Sequence, residues 1–433
     1  MTLSFRAVLA ASALVPAIAL SAQAHAQAFY LQEQSARAAG RAFSGEVADT
    51  GAASLWWNPA AIADTERAEV AISAAAILPR GKVIDNGTLI RRPGQAFAPV
   101  GGNGTARNPI NNGVLPSGAI AFPLNDRVAL GLAVTSPYSF TTNYDQDSWA
   151  RYSADRTRLR TVDIQPSVAV ALFDWLRVGG AVNVEYTDAS LSNKLPNLLA
   201  SLPDGEQRLK GDGWDLGWTA GVQLHNDWAT VGISYKSEIK HKLKGELEVS
   251  GLLGPLAPNN LSVSDARAEF YTPAQIIVGG RFRATDALTL NTQLVRYTWS
   301  KFDAIRLGAP INTAIPENYR DSWSLAGGVD YAVAPAVTLR AGVQHANTPT
   351  QNGDRDARVP DSNRWNYAVG GTFNASPSLS FDVAANYVDF KDTTIDRITA
   401  AYVGTLVQTP IITNGRLDDA HAVVLSAGAR LTF

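Results

Sequence analysis

The chain has 433 residues, no cysteine and a formal net charge of -2. Without cysteine there is no disulfide framework, no thiol chemistry and no lipid-acylated anchor, and a slightly acidic chain lacks the basic stripe that nucleic acid demands. The 35 glycines and 10 tryptophans suit a tightly turning sheet with aromatic girdles.

Arg6, the apolar run Ala7 to Leu20 and the small-x-small sequence Ala24-His25-Ala26 read as an export signal over residues 1–26, with the mature chain starting at Gln27. No later stretch offers the roughly eighteen uninterrupted apolar residues of a spanning helix. Residues 27–66 do not alternate. They are rich in Ala and Gly, carry a helical stretch around Gln32 to Phe43, and include the charges Arg37, Arg41, Glu46 and Asp49. From about Arg67 the pattern changes to a period of two, the mark of strands.

Tight connections follow at Leu124-Asn125-Asp126, Phe173-Asp174, His225-Asn226-Asp227, Ala284-Thr285-Asp286, Ala334-Pro335 and Asn374-Ala375-Ser376-Pro377. Each holds the Asn, Asp or Pro that sets turn geometry. Between the hairpins lie longer stretches: Gly81 to Val114, Lys194 to Gly213, Ser250 to Ser264 and Lys391 to Asp419. Six short turns and seven long loops predict fourteen strands over 67–433. An even count lets the first strand, about Arg67 to Leu78, close on the last and leave no open edge. The last strand has Val423, Leu425, Ala427, Ala429, Leu431 and Phe433 on one face and mostly small or polar residues on the other. The expectation is an all-β transmembrane fold, a fourteen-stranded antiparallel outer-membrane β-barrel. So wide a lumen is either open or plugged, and 27–66 is the expected plug, its charges meeting a polar inner wall.

Phe29-Tyr30-Leu31-Gln32-Glu33-Gln34-Ser35-Ala36-Arg37, Gly40-Arg41-Ala42-Phe43-Ser44-Gly45-Glu46 and Trp57-Asn58-Pro59-Ala60-Ala61 resemble the hatch of the FadL/TodX transporters of hydrophobic compounds. Ser117-Gly118-Ala119-Ile120-Ala121, Gly213-Trp214-Asp215-Leu216-Gly217-Trp218, Tyr235-Lys236-Ser237-Glu238-Ile239-Lys240, Trp299-Ser300-Lys301-Phe302 and Val359-Pro360-Asp361 with Arg364 follow in that family's order.

The resemblance implies passive outer-membrane uptake of hydrophobic compounds, most of all long-chain fatty acids, by loop capture, a lumen pocket and lateral diffusion through the barrel wall. A long acyl chain in water gives up roughly 10 kcal/mol at about 0.8 kcal/mol per methylene, so the route must stay apolar. It implies a capture groove from Leu195, Leu198, Leu199, Leu202, Leu252, Leu253 and Leu256, which could equally pack the loops on one another. It places Arg306, with Lys194 (beside Asn193) and Phe29, at the headgroup pocket. Pro137, Tyr138 and Ser139 make a lateral opening in the third strand, since proline breaks the ladder. Asn58, Pro59 and Ala60 form the hatch element beneath it. Expected partners are the cargo, outer-membrane lipid and lipopolysaccharide, and barrel-assembly machinery reading Phe433. Uptake of aromatic hydrocarbons by the same route and a general porin are the alternatives. No cofactor, metal cluster, G-x-S-x-G elbow or H-E-x-x-H pair is seen, which weighs against a hydrolase.

Overall fold

The computed structural model describes residues 28–309 and 311–433, and the expected signal peptide lies outside the described residues. Fourteen antiparallel strands close a barrel. In chain order they are β1 (Glu69–Asp85), β2 (Gly113–Asn125), β3 (Val128–Thr135 and Ser139–Asn143), β4 (Arg156–Phe173) and β5 (Leu176–Leu195). Next come β6 (Gly205–His225), β7 (Ala229–Lys236 and Ile239–Ser250), β8 (Leu261–Thr272 and Gln275–Arg283), β9 (Leu288–Tyr297) and β10 (Ser322–Ala334). The last are β11 (Val337–Ala346), β12 (Arg364–Ser376), β13 (Leu379–Phe390 and Thr393–Ala401) and β14 (Thr409–Thr432). Closure is made by β1 against β14, from Glu69↔Thr432 to Asp85↔Gly415.

The barrel is inside-out, as a lipid environment requires. On β6 the outward residues Trp214, Leu216, Trp218 and Leu224 are exposed, while the alternate Thr219 and Gln223 are buried against the lumen. On β14, Leu425 and Leu431 are exposed and Val424 and Ser426 are buried. All six tight turns fall where the Asn, Asp and Pro residues predict them.

The long connections are shorter than expected. Lys194 to Gly213 is mostly β5 and β6, paired up to Leu195↔Gly205, and Lys391 to Asp419 is mostly β13 and β14, paired up to Ala401↔Thr409. Both stretches carry enough Gly, Asn and Asp to read as loops, yet beyond the bilayer the outward face of a strand can be polar while Leu195, Leu209, Ile395, Ile411 and Leu417 are buried on the inner face.

Residues 28–66 sit inside the barrel, touching strands on every side. A four-residue helix, Ala36–Ala39, is capped by Ser35. The longer helix expected over Gln32 to Phe43 does not form, because Ala42 and Phe43 take positive φ of 52° and 64°. Arg41 is fully buried and ion-paired to Glu46, to Asp49 at 2.5 Å and to Asp330 of β10 at 3.1 Å; Arg281 of β8 bridges Asp49 and Asp330.

The wall makes room for this segment with glycines. A Cβ on Gly342 of β11 would lie 2.2 Å from the Arg41 carbonyl oxygen, and one on Gly179 of β5 would lie 2.4 Å from the Pro59 carbonyl carbon. Neither position lies in a turn, so a larger residue leaves the ladder intact and can only push on the segment. Gly342→Val is therefore expected to leave a heat-stable barrel in detergent while opening residues 28–66 to added protease, read by peptide mapping. Protection equal to wild type would contradict this packing.

Candidate functional site

Three features inside the barrel share residues or border one another. The outermost is a vestibule of about 880 Å³ between the long loops, lined by Lys194, Leu195, Leu252, Arg358, Arg397 and Tyr402 among others. Leu195, Leu252 and Leu256 are buried together, with Leu198, Val249, Tyr402 and Val407 packed on them. Leu199 and Leu253 stay exposed, and Leu202 is half-buried. Most of the expected capture leucines therefore pack one loop on another, and the pair left at the surface is Leu199 and Leu253. Lys194 lines the vestibule, held 3.0 Å from Glu206 and 3.9 Å from Asp155.

Below it lies an apolar cavity with about 50 Å³ of free volume. Phe29, Phe140, Leu159, Phe270, Phe302 and Tyr319 supply most of its wall. The Phe29 ring stands at its centre, 4.9 Å from Trp299, 5.4 Å from Phe302 and 5.7 Å from Phe140. A second apolar chamber of about 30 Å³ continues from it, sharing Ala189, Leu191, Phe270 and Ile305. Arg358 lines both the cavity and the vestibule. It is only 8% exposed, its Nη2 donates to the Ser153 carbonyl, and its buried Nε has no protein partner. Beside it, burial pushes the Glu317 carboxyl up to about 7, against the pull of Arg397 at 3.9 Å.

Arg306 is elsewhere. It sits on a short strand, Ala304–Leu307, opposite Glu269, with both guanidinium nitrogens on Asp303 at 3.0 and 2.5 Å and half its side chain in solvent. Its neighbour Ile305 is the residue that lines the cavity. Successive residues of a strand face opposite ways, so the expected headgroup partner points out of the barrel. Two basic residues line the cavity: Arg158, whose guanidinium is paired with Asp188 at 2.5 Å, and Arg358, one position before the Val359-Pro360-Asp361 motif, which has no salt bridge among the described residues.

The third feature is a break in the wall. The inner half of β3 pairs with both β2 and β4, whereas Ser139–Asn143 pairs along its length with β4 and meets the chain ahead of β2 only at its far end, through the bridge Ile110↔Thr142. Ser139 to Thr142 are all buried, whereas a wall strand exposes every second residue. That run has left the cylinder and turned inward at Ser136-Pro137-Tyr138. The N-terminal segment covers the gap as an extra strand: Leu31 donates to the Pro137 carbonyl at 2.7 Å and Ser139 to the Phe29 carbonyl at 3.1 Å. Gln34 spans the two sides. Ser117 of β2 donates to its carbonyl at 2.7 Å, and its side chain exchanges hydrogen bonds with the Ser136 backbone at 3.1 and 3.3 Å.

Asn58, Pro59 and Ala60 do not lie under this gap. Asn58 caps the Ala60 amide and donates to the Val47 and Val222 carbonyls, which sets the motif against β5 and β6. Proline and the cap fix a tight turn there, and the hatch residues at the gap are Tyr30, Leu31 and Gln34.

A closed barrel with an apolar exterior, a lumen filled by its own N-terminal segment and an apolar chamber behind a broken strand is an outer-membrane transporter of hydrophobic compounds, not an enzyme. Residues 17–433 match the family described as outer membrane protein transport protein (OMPP1/FadL/TodX), and the chain belongs to that family. It is 26% identical over 420 residues to the 47 kDa outer membrane protein of Pasteurella multocida, covering 91% of this chain and 94% of the relative. It is also 26% identical over 418 residues to a long-chain fatty acid transport protein of Escherichia coli, covering 87% and 90%. Among solved structures, a FadL homologue of Pseudomonas aeruginosa superposes with a TM-score of 0.81 at 25% identity, over 94% of this chain and 100% of that one. The Pseudomonas putida toluene transporter TodX shares the fold with a TM-score of 0.64 at 16% identity, over 94% and 100%.

Proposed function

We propose that this chain takes up long-chain fatty acids. The observation that carries the reading is Arg358, a buried guanidinium with a free donor at the mouth of a largely aromatic and aliphatic cavity, whose other cation, Arg158, is already paired with Asp188. A neutral arene has no use for such a group. A carboxylate leaving water needs one, and the fork of Arg suits it. Lys194 is the earlier contact in the vestibule, and Leu199 and Leu253 are the exposed apolar residues a chain meets first.

The free volume is far below the roughly 300 Å³ of a drug-sized ligand pocket. Cargo therefore displaces the Phe29 ring, which occupies the space meant for it. Because Phe29 leads directly into the strand that covers the β3 gap, its displacement uncovers the opening, and the cargo leaves sideways into lipid. Residues 27–66 act as the hatch in this reading. Phe433, half-exposed and donating its amide to the Ala68 carbonyl at 2.9 Å, offers the terminal aromatic for barrel assembly. Equilibrium binding of oleate and of toluene to the purified barrel tests the proposal; toluene binding without oleate binding would replace it with the aromatic alternative.

Affinity should also depend on pH. Glu317 is neutral below about 7 and gains a negative charge above it, whereas a fatty acid is already ionised across this range. Oleate affinity is thus fully present below pH 7 and falls as pH rises through it. A unit charge lining the same cavity, at an effective dielectric of about 20 and with solvent screening, is worth on the order of 1 kcal/mol, or about tenfold at most. Glu317→Gln should flatten the profile between pH 6 and 8, measured by titration with labelled oleate. A slope that survives the substitution would sink the assignment.

A further inference from the structure

The outer surface of β4 to β8 carries a feature the transport route does not use. Its apolar band ends in an aromatic row: Tyr186 and Trp214 lie with ring centroids 5.1 Å apart, and Trp214 is 59% exposed. One rung further out the same outward face turns ionic. Arg160↔Asp188, Asp188↔Asp212, Asp212↔Lys244 and Lys244↔Arg267 are in direct register across the five strands.

The strand period puts more cations on this face. Arg156, Arg158 and Arg160 alternate along β4, and Lys240, Lys242 and Lys244 along β7. The residues between them, Thr157, Leu159, His241 and Leu243, are buried toward the lumen. Arg158 is paired with Asp188 and Lys240 with Glu269. Among the described residues Arg156, Arg160, Lys242 and Lys244 form no salt bridge, although carboxylates stand in neighbouring rungs. In a chain of net charge -2, these unpaired cations gather on one flank: Arg160 and Lys244 stand in the same register row, Lys242 lies two residues nearer the bilayer on β7 and Arg156 four residues further out on β4.

Two residues of strand rise about 7 Å, so this row meets whatever lies directly above the acyl boundary. In the outer leaflet of an outer membrane that is the phosphorylated sugar of the glycolipid. We propose that the flank is a binding surface for the phosphate groups of lipopolysaccharide, held by Arg160 on one side and by Lys242 and Lys244 on the other. Three strand spacings, about 14 Å, separate β4 from β7, a span on the order of a disaccharide with a phosphate at each end. Asp188 and Asp212, which stand between Arg160 and Lys244 in the same row, keep the flank close to neutral, so phosphate is held locally by the flanking cations and anions are not attracted at long range. The surface rests on the outer-membrane location and is independent of which cargo the lumen carries.

The test uses the full mature chain in detergent and two probes, bisphosphorylated lipid A and the same lipid A stripped of phosphate, with binding read by native mass spectrometry. Wild type should bind the phosphorylated probe at least tenfold more tightly, since each cation near such a surface contributes about fivefold. Arg160→Ser with Lys242→Gln and Lys244→Gln should remove that preference, leaving binding of the stripped probe and oleate uptake unchanged. Equal binding of both probes by wild type would overturn the proposal, as would a preference that persists in the triple variant. The wild-type comparison decides the matter even where the triple variant does not fold.

Discussion

Replacing Arg358 with methionine should lower oleate affinity ten- to a hundredfold and leave toluene binding unchanged. Methionine keeps the length and bulk of the side chain, so the cavity wall is preserved and only the donor is lost. A charge-assisted hydrogen bond in a site removed from water contributes about 1.5–3 kcal/mol, and each 1.4 kcal/mol is a factor of ten. The Arg306→Ala variant is the control. Its guanidinium lies in solvent on Asp303, and its loss should change uptake less than about twofold. Titration with labelled oleate on purified variants measures both. An oleate affinity that follows Arg306 and ignores Arg358 would reverse the assignment.

Arg41→Met should have the largest effect on the hatch. The substitution leaves Glu46, Asp49 and Asp330 without their common counter-ion, and removing one partner of a buried ionic network costs about 3–5 kcal/mol. Arg281 still reaches Asp49 and Asp330, so the loss falls mainly on Glu46, which is fully buried. The barrel ladders contain none of these side-chain bonds and should survive. Two readouts follow: the melting midpoint of the hatch, followed by protease access to residues 28–66, and entry of a bulky polar antibiotic into whole cells. Both should change strongly, with the hatch released well below the temperature at which the barrel unfolds. A variant as protected as wild type would show that packing alone holds the segment.

What could be read in the sequence was whatever depends on alternation. A residue facing lipid must be apolar and its neighbour facing the lumen need not be, so β6 and β14 announce themselves and the turns between strands can be counted. Outside the bilayer that constraint lapses. The outer parts of β5, β6, β13 and β14 turn polar residues outward and bury Ala189, Leu209, Ile395, Ile411 and Leu417 on the lumen side, and their Gly, Asn and Asp content makes them resemble loops. Residue roles fared according to how much they depend on parity. The break at Pro137 follows from one chemical fact about proline, and it falls at Ser136-Pro137-Tyr138. Arg306 stands one position from Ile305, the residue that lines the cavity, and one position in a strand is enough to turn a side chain through the wall. Arg358 lies in a loop with no periodicity to betray it, and only its place beside Val359-Pro360-Asp361 marked it. The position of Asn58-Pro59-Ala60 against β5 and β6 is fixed by Gly179 and Gly221, far away in sequence, and no local pattern carries that.

The central claim is that cargo leaves through the wall where Tyr30 lies beside Tyr138 and that this contact must open. The two residues form an antiparallel bridge flanked by the hydrogen bonds of Leu31 and Ser139, which places their Cα atoms about 4.5 Å apart, within reach of a disulfide. The chain has no other cysteine to interfere. With cysteine at both positions and the disulfide verified by mass, oleate uptake should fall to background when oxidised and return on reduction. Uptake by the oxidised form at the rate of the reduced one would contradict the account.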